Sequence, residues 1–239
     1  MADSDLFTYM QRRPTVERPL LGLTILVVED SRYASEAMRL LCLRSGARIR
    51  RADSLRAAHL HLRVYRPSVV VVDLGLPDGS GLDLIRDLAG ARRQMAILIA
   101  TSGDHAGETA ARTAGADAFL PKPVTSLAAF QSLLLAHLPP SRRPRGPRPA
   151  NDDQVHPDRL ALQDDLIQVA ELLGSDGGAD RLDYVAQFVG GLARSAGDGA
   201  LAQAAAELAR TRAAGAPGRR DAARIADLLQ QRLQDRQAL

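Results

Sequence analysis

Tryptophan is absent from the 239 residues, and four tyrosines with four phenylalanines bring the aromatic content to only 3%. A surface that stacks nucleic-acid bases on aromatic rings is therefore not expected. The single cysteine, Cys42, excludes an internal disulfide and fits a reducing compartment. It falls in "RLLCLRSG", a helical stretch where it reads as a small core residue. No apolar run approaches the roughly 18 residues that a membrane span requires. The opening "MADSDLFTYMQRRP" carries no apolar signal core. The expectation is a cytoplasmic protein with no membrane contact. A net charge of +3 is too small to indicate nucleic acid by itself.

Lysine is as scarce as cysteine. Of 31 basic residues, 30 are arginine, and the only lysine is Lys122 in "FLPKPV". A position that keeps lysine against such a bias either retains it by chance or requires a compact ammonium that a planar guanidinium cannot replace.

What is present alternates between two periods. Continuous apolar runs occur at 23–30 (LTILVVED), 68–73 (SVVVVD), 95–101 (MAILIAT) and 117–122 (DAFLPK), with a weaker, edge-like strand at 47–52 (ARIRRA). Helical patterns fill the gaps. The first is opened by Ser31 as N-cap and closed by Gly46, and the last, "SLAAFQSLLLAHL", is capped by Thr125 or Ser126. Five strand–helix alternations predict an α/β domain over residues 21–138. Its five parallel strands, buried on both faces, take the flavodoxin-like order 2-1-3-4-5. Residues 1–20 read as a polar extension with a few apolar residues (Leu6, Phe7, Tyr9, Met10). Residues 139–151, with five prolines and four arginines, read as an extended linker.

In such a sheet, ligands gather beyond the carboxyl ends of the strands, at the switch point between strands one and three. Strand one ends in Glu29-Asp30 and strand three in Asp73. Three carboxylates in one crevice repel, and at least one pKa must rise. A hard divalent cation such as Mg²⁺ resolves the conflict. Asp30 and Asp73 are candidates for direct ligation, Glu29 through a water, and the Gly75 carbonyl for a further oxygen. Strands four and five end in Thr101 and Lys122, which adds a hydroxyl and an ammonium. This set suits orientation and neutralisation of a phosphoryl group, with Asp73 as nucleophile. Each residue alone has a plainer reading as a turn or cap. The joint spacing, 43 residues from Asp30 to Asp73, 28 to Thr101 and 21 to Lys122, carries the functional one.

In "VVEDS", "VVDLGLPDGSG", "ILIATSGD" and "FLPKPV", residues 23–138 resemble a two-component response regulator receiver domain, over about half the chain. The resemblance implies that Asp73 takes phosphate from a histidine kinase or phosphotransfer protein. It implies Mg²⁺ at Glu29, Asp30, Asp73 and the Gly75 carbonyl, and phosphoryl contacts from Thr101 and Lys122. It also implies a cis bond before Pro123, and Phe119 as the aromatic switch residue, for which the plainer reading is a core aromatic. Gly75 and Gly103 fall where that family tunes hydrolysis of the phosphoaspartate. Helices four and five with strand five form the family's usual signalling face, so "SLAAFQSLLLAHL" serves packing or a homodimer. Beyond its own phosphorylation and dephosphorylation, no enzyme activity is expected.

Residues 152–239 show no strand pattern. Helical spacing is expected near 157–173, 180–195, 198–214 and 217–236, with Asp198 capping the third helix and Pro217 in the first turn of the fourth. Short glycine-rich breaks point to a small all-α antiparallel bundle, whose isolated carboxylates read as solvated faces. The segment is net acidic, ten Arg against fourteen Asp plus Glu, which argues against DNA binding. In layout the bundle resembles a histidine phosphotransfer domain, with "GDGALAQAAAELARTRAAG" as its central helix. That family needs an exposed histidine there. Ala206 or Glu207 stands in its place, and no histidine follows His156. A generic alanine-rich bundle fits the same pattern. The expected function is a phosphorelay response regulator signalling through a helical interaction domain. Two alternatives remain: a DNA-binding regulator using the Arg-rich linker and tail, and an Mg²⁺-dependent aspartyl-phosphate phosphatase. The latter chemistry usually places a second Asp two residues after the nucleophile, where Gly75 stands.

Overall fold

The computed structural model describes residues 13–91, 97–104, 106–146, 153–174 and 179–235. The apolar residues of the N-terminal extension, Leu6 to Met10, and the end of the Pro/Arg-rich linker lie outside them. Five strands, β1 (Thr24–Val28), β2 (Arg48–Ala52), β3 (Val69–Asp73), β4 (Ile97–Ser102) and β5 (Ala118–Pro121), form one parallel sheet in the order β2-β1-β3-β4-β5. Helices α1 (Arg32–Ser45), α2 (Leu55–Val64), α3 (Gly81–Gly90), α4 (Gly107–Ala114) and α5 (Leu127–His137) alternate with them.

The two-residue period of the strands divides the apolar runs between two cores. Ile25, Val27, Val69, Val71, Ile99 and Leu120 face α1 and α5. Leu26, Val28, Val70, Val72, Leu98, Ala100 and Phe119 face the other layer, with Ala58 of α2, Leu84 and Ile85 of α3, and Ala111 of α4. Every residue of β3 is buried. Arginine-rich β2 pairs with β1 alone, which leaves its charges at the sheet edge.

The helix ends follow from local hydrogen bonding. The Ser31 hydroxyl accepts from the Ala34 N–H at 3.0 Å, and Gly46, at φ 82°, closes α1. Ser126, rather than Thr125, caps α5. Leu20 is fully buried in the first core. Val155 joins it, because the chain beyond the linker returns to the start of α5: the Leu127 N–H donates to the Asp153 carbonyl and the Val155 N–H to that of Thr125.

Four further helices, α6 (Arg159–Gly174), α7 (Ala179–Ala196), α8 (Gly199–Ala213) and α9 (Arg219–Asp235), close a third core around Val169, Val185, Val189, Leu208, Ile225 and Leu229. Asp198 caps α8 through the Leu201 N–H at 3.1 Å. The expectation for Pro217 is corrected. Helix α9 starts at Arg219, and Gly218, at φ 71°, turns the chain between the proline and the first helical turn.

The bundle is seated on the carboxyl ends of the strands. Asp165 of α6, fully buried, accepts from the Ser31 hydroxyl (2.7 Å) and from the backbone N–H groups of Arg32 (2.8 Å) and Tyr33 (3.0 Å). The side chain of Tyr33 packs against the bundle core. The reading of the tail carboxylates as solvated therefore fails at Asp165. The N-terminus of α1 needs a negative partner, and the bundle provides one.

Candidate functional site

Register places the site residues at one level. Val28 lies opposite Val72, and Asp73 opposite Thr101. Glu29, one residue beyond β1, is therefore beside Asp73. Ser102 lies opposite Pro121, which brings Lys122 to the same edge, its N–H donating to the Ser102 carbonyl at 2.9 Å. One carboxylate oxygen from each of Glu29, Asp30 and Asp73 lies within 4.8 Å of the others. The Lys122 ammonium bridges Glu29 Oε2 at 2.7 Å and Asp73 Oδ2 at 2.8 Å. Glu29, Asp30, Asp73, Thr101 and Lys122 are all buried. Gly75 opens onto the same cleft of about 800 Å³ as Glu29, Asp30, Asp73 and Lys122.

Desolvation dominates the electrostatics. Burial lifts the Glu29 carboxyl well above its ordinary range, against the opposing pull of Lys122. Burial pushes Asp30 up to about 7, opposed by a hydrogen bond from Tyr184 and reinforced by the charge of Asp73. Burial acts to lower Lys122, but the carboxylates of Asp73 and Glu29 outweigh it and hold the ammonium above its usual value.

The raised pKa of Asp30 sets a pH dependence. A raised acid holds, in the folded chain, a proton that the unfolded chain has released. The stability it contributes therefore falls as pH rises from about 4 through 7. In metal-free buffer, wild type is expected to lose stability relative to Asp30→Asn between pH 5 and 8, read by urea denaturation. A constant difference would mean that Asp30 is ionised throughout.

The donor set fits a hard divalent cation. All of the candidate ligands are oxygens, and the buried Asp30 Oδ1 has no hydrogen-bond partner among the described residues. Thr101 is at the site, with its hydroxyl donating to the Leu120 carbonyl at 2.7 Å. Phe119 is buried in the core beside β4, and the Lys122–Pro123 bond is cis.

A family model, the response regulator receiver domain, matches residues 25–133. This segment is a receiver domain. Among curated relatives, the KDP operon transcriptional regulatory protein KdpE of Escherichia coli (strain K12) is 33% identical over 99 residues, covering 41% of this chain and 44% of its own. The response regulator MprA of Mycobacterium sp. (strain KMS) is 35% identical over 131 residues, covering 53% and 56%. The chain spans about half the length of these curated relatives. Among solved structures, the signal receiver domain of a response regulator from Bermanella marisrubri is 29% identical (46% of this chain, 92% of that one, TM-score 0.42). A response regulator from Burkholderia pseudomallei, solved with a phosphorylated aspartic acid, calcium and citrate, is 28% identical (47% and 66%, TM-score 0.42).

Around this receiver the bundle adds groups that the sequence does not announce. The Tyr184 hydroxyl of α7 donates to Asp30 Oδ2 at 2.5 Å. Gln187 and Arg194, on the same face of α7, reach Gly75 and Gly103 respectively. Ala206 of α8, the position where the phosphotransfer resemblance asks for histidine, lines the cleft as well. Asp165 left a legible signal, because it shares the spacing of Leu162, Leu166 and Val169, a buried stripe where a solvated carboxylate does not belong. Tyr184, Gln187 and Arg194 left none, since their role depends on how the two units meet.

Proposed function

We propose that this two-component regulator accepts a phosphoryl group on Asp73, with Mg²⁺, from a histidine kinase or phosphotransfer protein. In this proposal its helical bundle passes the signal on by protein interaction. The observation that carries the reading is the bridge from Lys122 to Asp73 and Glu29 beside the unpartnered Asp30 Oδ1. Mg²⁺ held by Asp30, Asp73 and the Gly75 carbonyl, with Glu29 behind it, would neutralise charge on the phosphoryl oxygens.

The chain's own residues do the rest. An Asp73 oxygen attacks phosphorus, and the bond to the donor's nitrogen or oxygen breaks. Lys122 leaves its carboxylate partners to pair with a phosphoryl oxygen. Thr101 exchanges its bond to the Leu120 carbonyl for one to the phosphoryl group. The phosphorylated form then shifts a pre-existing equilibrium between signalling states. Gly75 supplies no second carboxylate to act as acid and base, which disfavours a phosphatase acting on other substrates. The acidic bundle, its helices closed around their own core, disfavours DNA binding. Among the described residues, no helix is long and apolar enough to cross a membrane.

Incubation with acetyl phosphate and Mg²⁺ is expected to add one phosphoryl group per chain by intact mass, and Asp73→Asn to abolish it. Undiminished labelling of the variant would move the acceptor elsewhere.

A further inference from the structure

Three side chains descend from one face of α7 onto the receiver. Tyr184, Gln187 and Arg194 are three and seven residues apart, spacings that place them on one helical stripe. Tyr184 holds Asp30. A Cβ built on Gly75 would overlap the Gln187 carboxamide, and one built on Gly103 would overlap the Arg194 guanidinium. Both glycines therefore leave room for the flexible ends of these two side chains. They follow Asp73 and Thr101 by two residues and line one cleft with Asp73, Lys122, Gln187 and Arg194. Between the two polar side chains α7 carries Gly190 and Gly191, and the Arg194 guanidinium lies over Gly190, 3.4 Å from where its Cβ would be. Neither the Gln187 carboxamide nor the Arg194 guanidinium has a hydrogen-bond or ionic partner among the described residues, and both side chains line the cleft.

Phosphoryl transfer to water is helped by two kinds of group: a carboxamide that orients the attacking water, and a guanidinium that takes up charge on the transferring oxygens. The receiver's own loops supply neither, since they carry glycine at both places. We propose that α7 completes a composite hydrolytic site in cis, in which Gln187 positions water on the phosphoaspartate and Arg194 binds its phosphoryl oxygens. The bundle thereby sets the lifetime of the signal. This rests on Asp73 being the acceptor.

The step balances without a further reactant. The water oxygen bonds to phosphorus opposite Asp73. The phosphorus–oxygen bond to Asp73 breaks, and its electron pair stays on the carboxylate. One water proton ends on a phosphoryl oxygen, giving dihydrogen phosphate and the free Asp73 carboxylate. The Gln187 carbonyl accepts a hydrogen bond from the water, and its NH₂ donates to the phosphoryl group. Arg194 offers its fork of N–H donors.

The test uses the full chain, labelled with acetyl phosphate and Mg²⁺, freed of donor and followed by intact mass. Gln187→Ala and Arg194→Ala are each expected to lengthen the phosphoaspartate lifetime about 10-fold or more, with melting temperature close to wild type. Arg194→Lys should restore part of the loss. Beryllofluoride with Mg²⁺ should raise the melting temperature less in Arg194→Ala than in wild type. Gln187→Glu, of the same shape, should also slow hydrolysis, because a second anion repels the phosphoryl group. Unchanged or shortened lifetimes in both alanine variants would overturn the proposal while leaving Asp73 as acceptor. Wild type that takes up no label would overturn both.

Discussion

Lys122→Met is expected to lower stability by about 3–5 kcal/mol at pH 8 in metal-free buffer, and by much less at pH 5 or with Mg²⁺. The ammonium is buried and stands 2.7 Å from Glu29 and 2.8 Å from Asp73. Methionine fills similar space, so lost packing is a minor effect. What changes is charge: Glu29, Asp30 and Asp73 are left together with no cation among them. Protonation relieves the repulsion at low pH, and Mg²⁺ relieves it at any pH at which it binds. Urea denaturation at the two pH values, with and without Mg²⁺, separates the causes. An equal loss under all conditions would make the lysine a packing element only. Lys122→Arg is not expected to rescue, because a planar guanidinium does not fit between two carboxylates shaped around a point charge. The chain's sole lysine thus stands where arginine would fail.

Asp165→Ala is expected to release the bundle from the receiver, at a loss of about 2–4 kcal/mol of docking free energy. One carboxylate there satisfies three donors at the N-terminus of α1. Burial raises its pKa while those hydrogen bonds pull it down. Asp165→Asn should be nearly as damaging, since its NH₂ would face N–H groups. Ser31 still caps α1 through the Ala34 N–H, so the receiver itself should stay folded. The exposed Arg32–Asp164 pair, at 2.6 Å, adds little in solvent. The expected signs are a larger radius of gyration by small-angle scattering, faster cleavage near residues 153–158, and two unfolding transitions in place of one. A variant indistinguishable from wild type in all three would show that α7 holds the bundle without α6.

Much of the receiver was legible because its determinants are local. The apolar runs ending at Asp30, Asp73 and Lys122 are each short enough to be one strand, and the parallel arrangement brings their carboxyl ends to one edge. Ser31 and Gly46 mark the ends of α1 by hydrogen-bonding and backbone conformation within a few residues. Pro217 was misplaced because proline marks a break without saying how many residues follow before the helix, and Gly218 takes the turn. The burial of Asp165 was legible in its spacing, but its partner, a helix N-terminus 132 or more residues away, does not show in its own neighbourhood.

The sequence by itself determined the two-core sheet, the four-helix tail, and the meeting of Asp30, Asp73, Thr101 and Lys122, since periodicity and strand direction act within each segment. Only the tertiary structure decided that the tail sits over Asp73, with Tyr184 on Asp30 and Gln187 and Arg194 in the spaces left by Gly75 and Gly103. The fit of one folded surface to another depends on shapes and charges that exist only after both have formed.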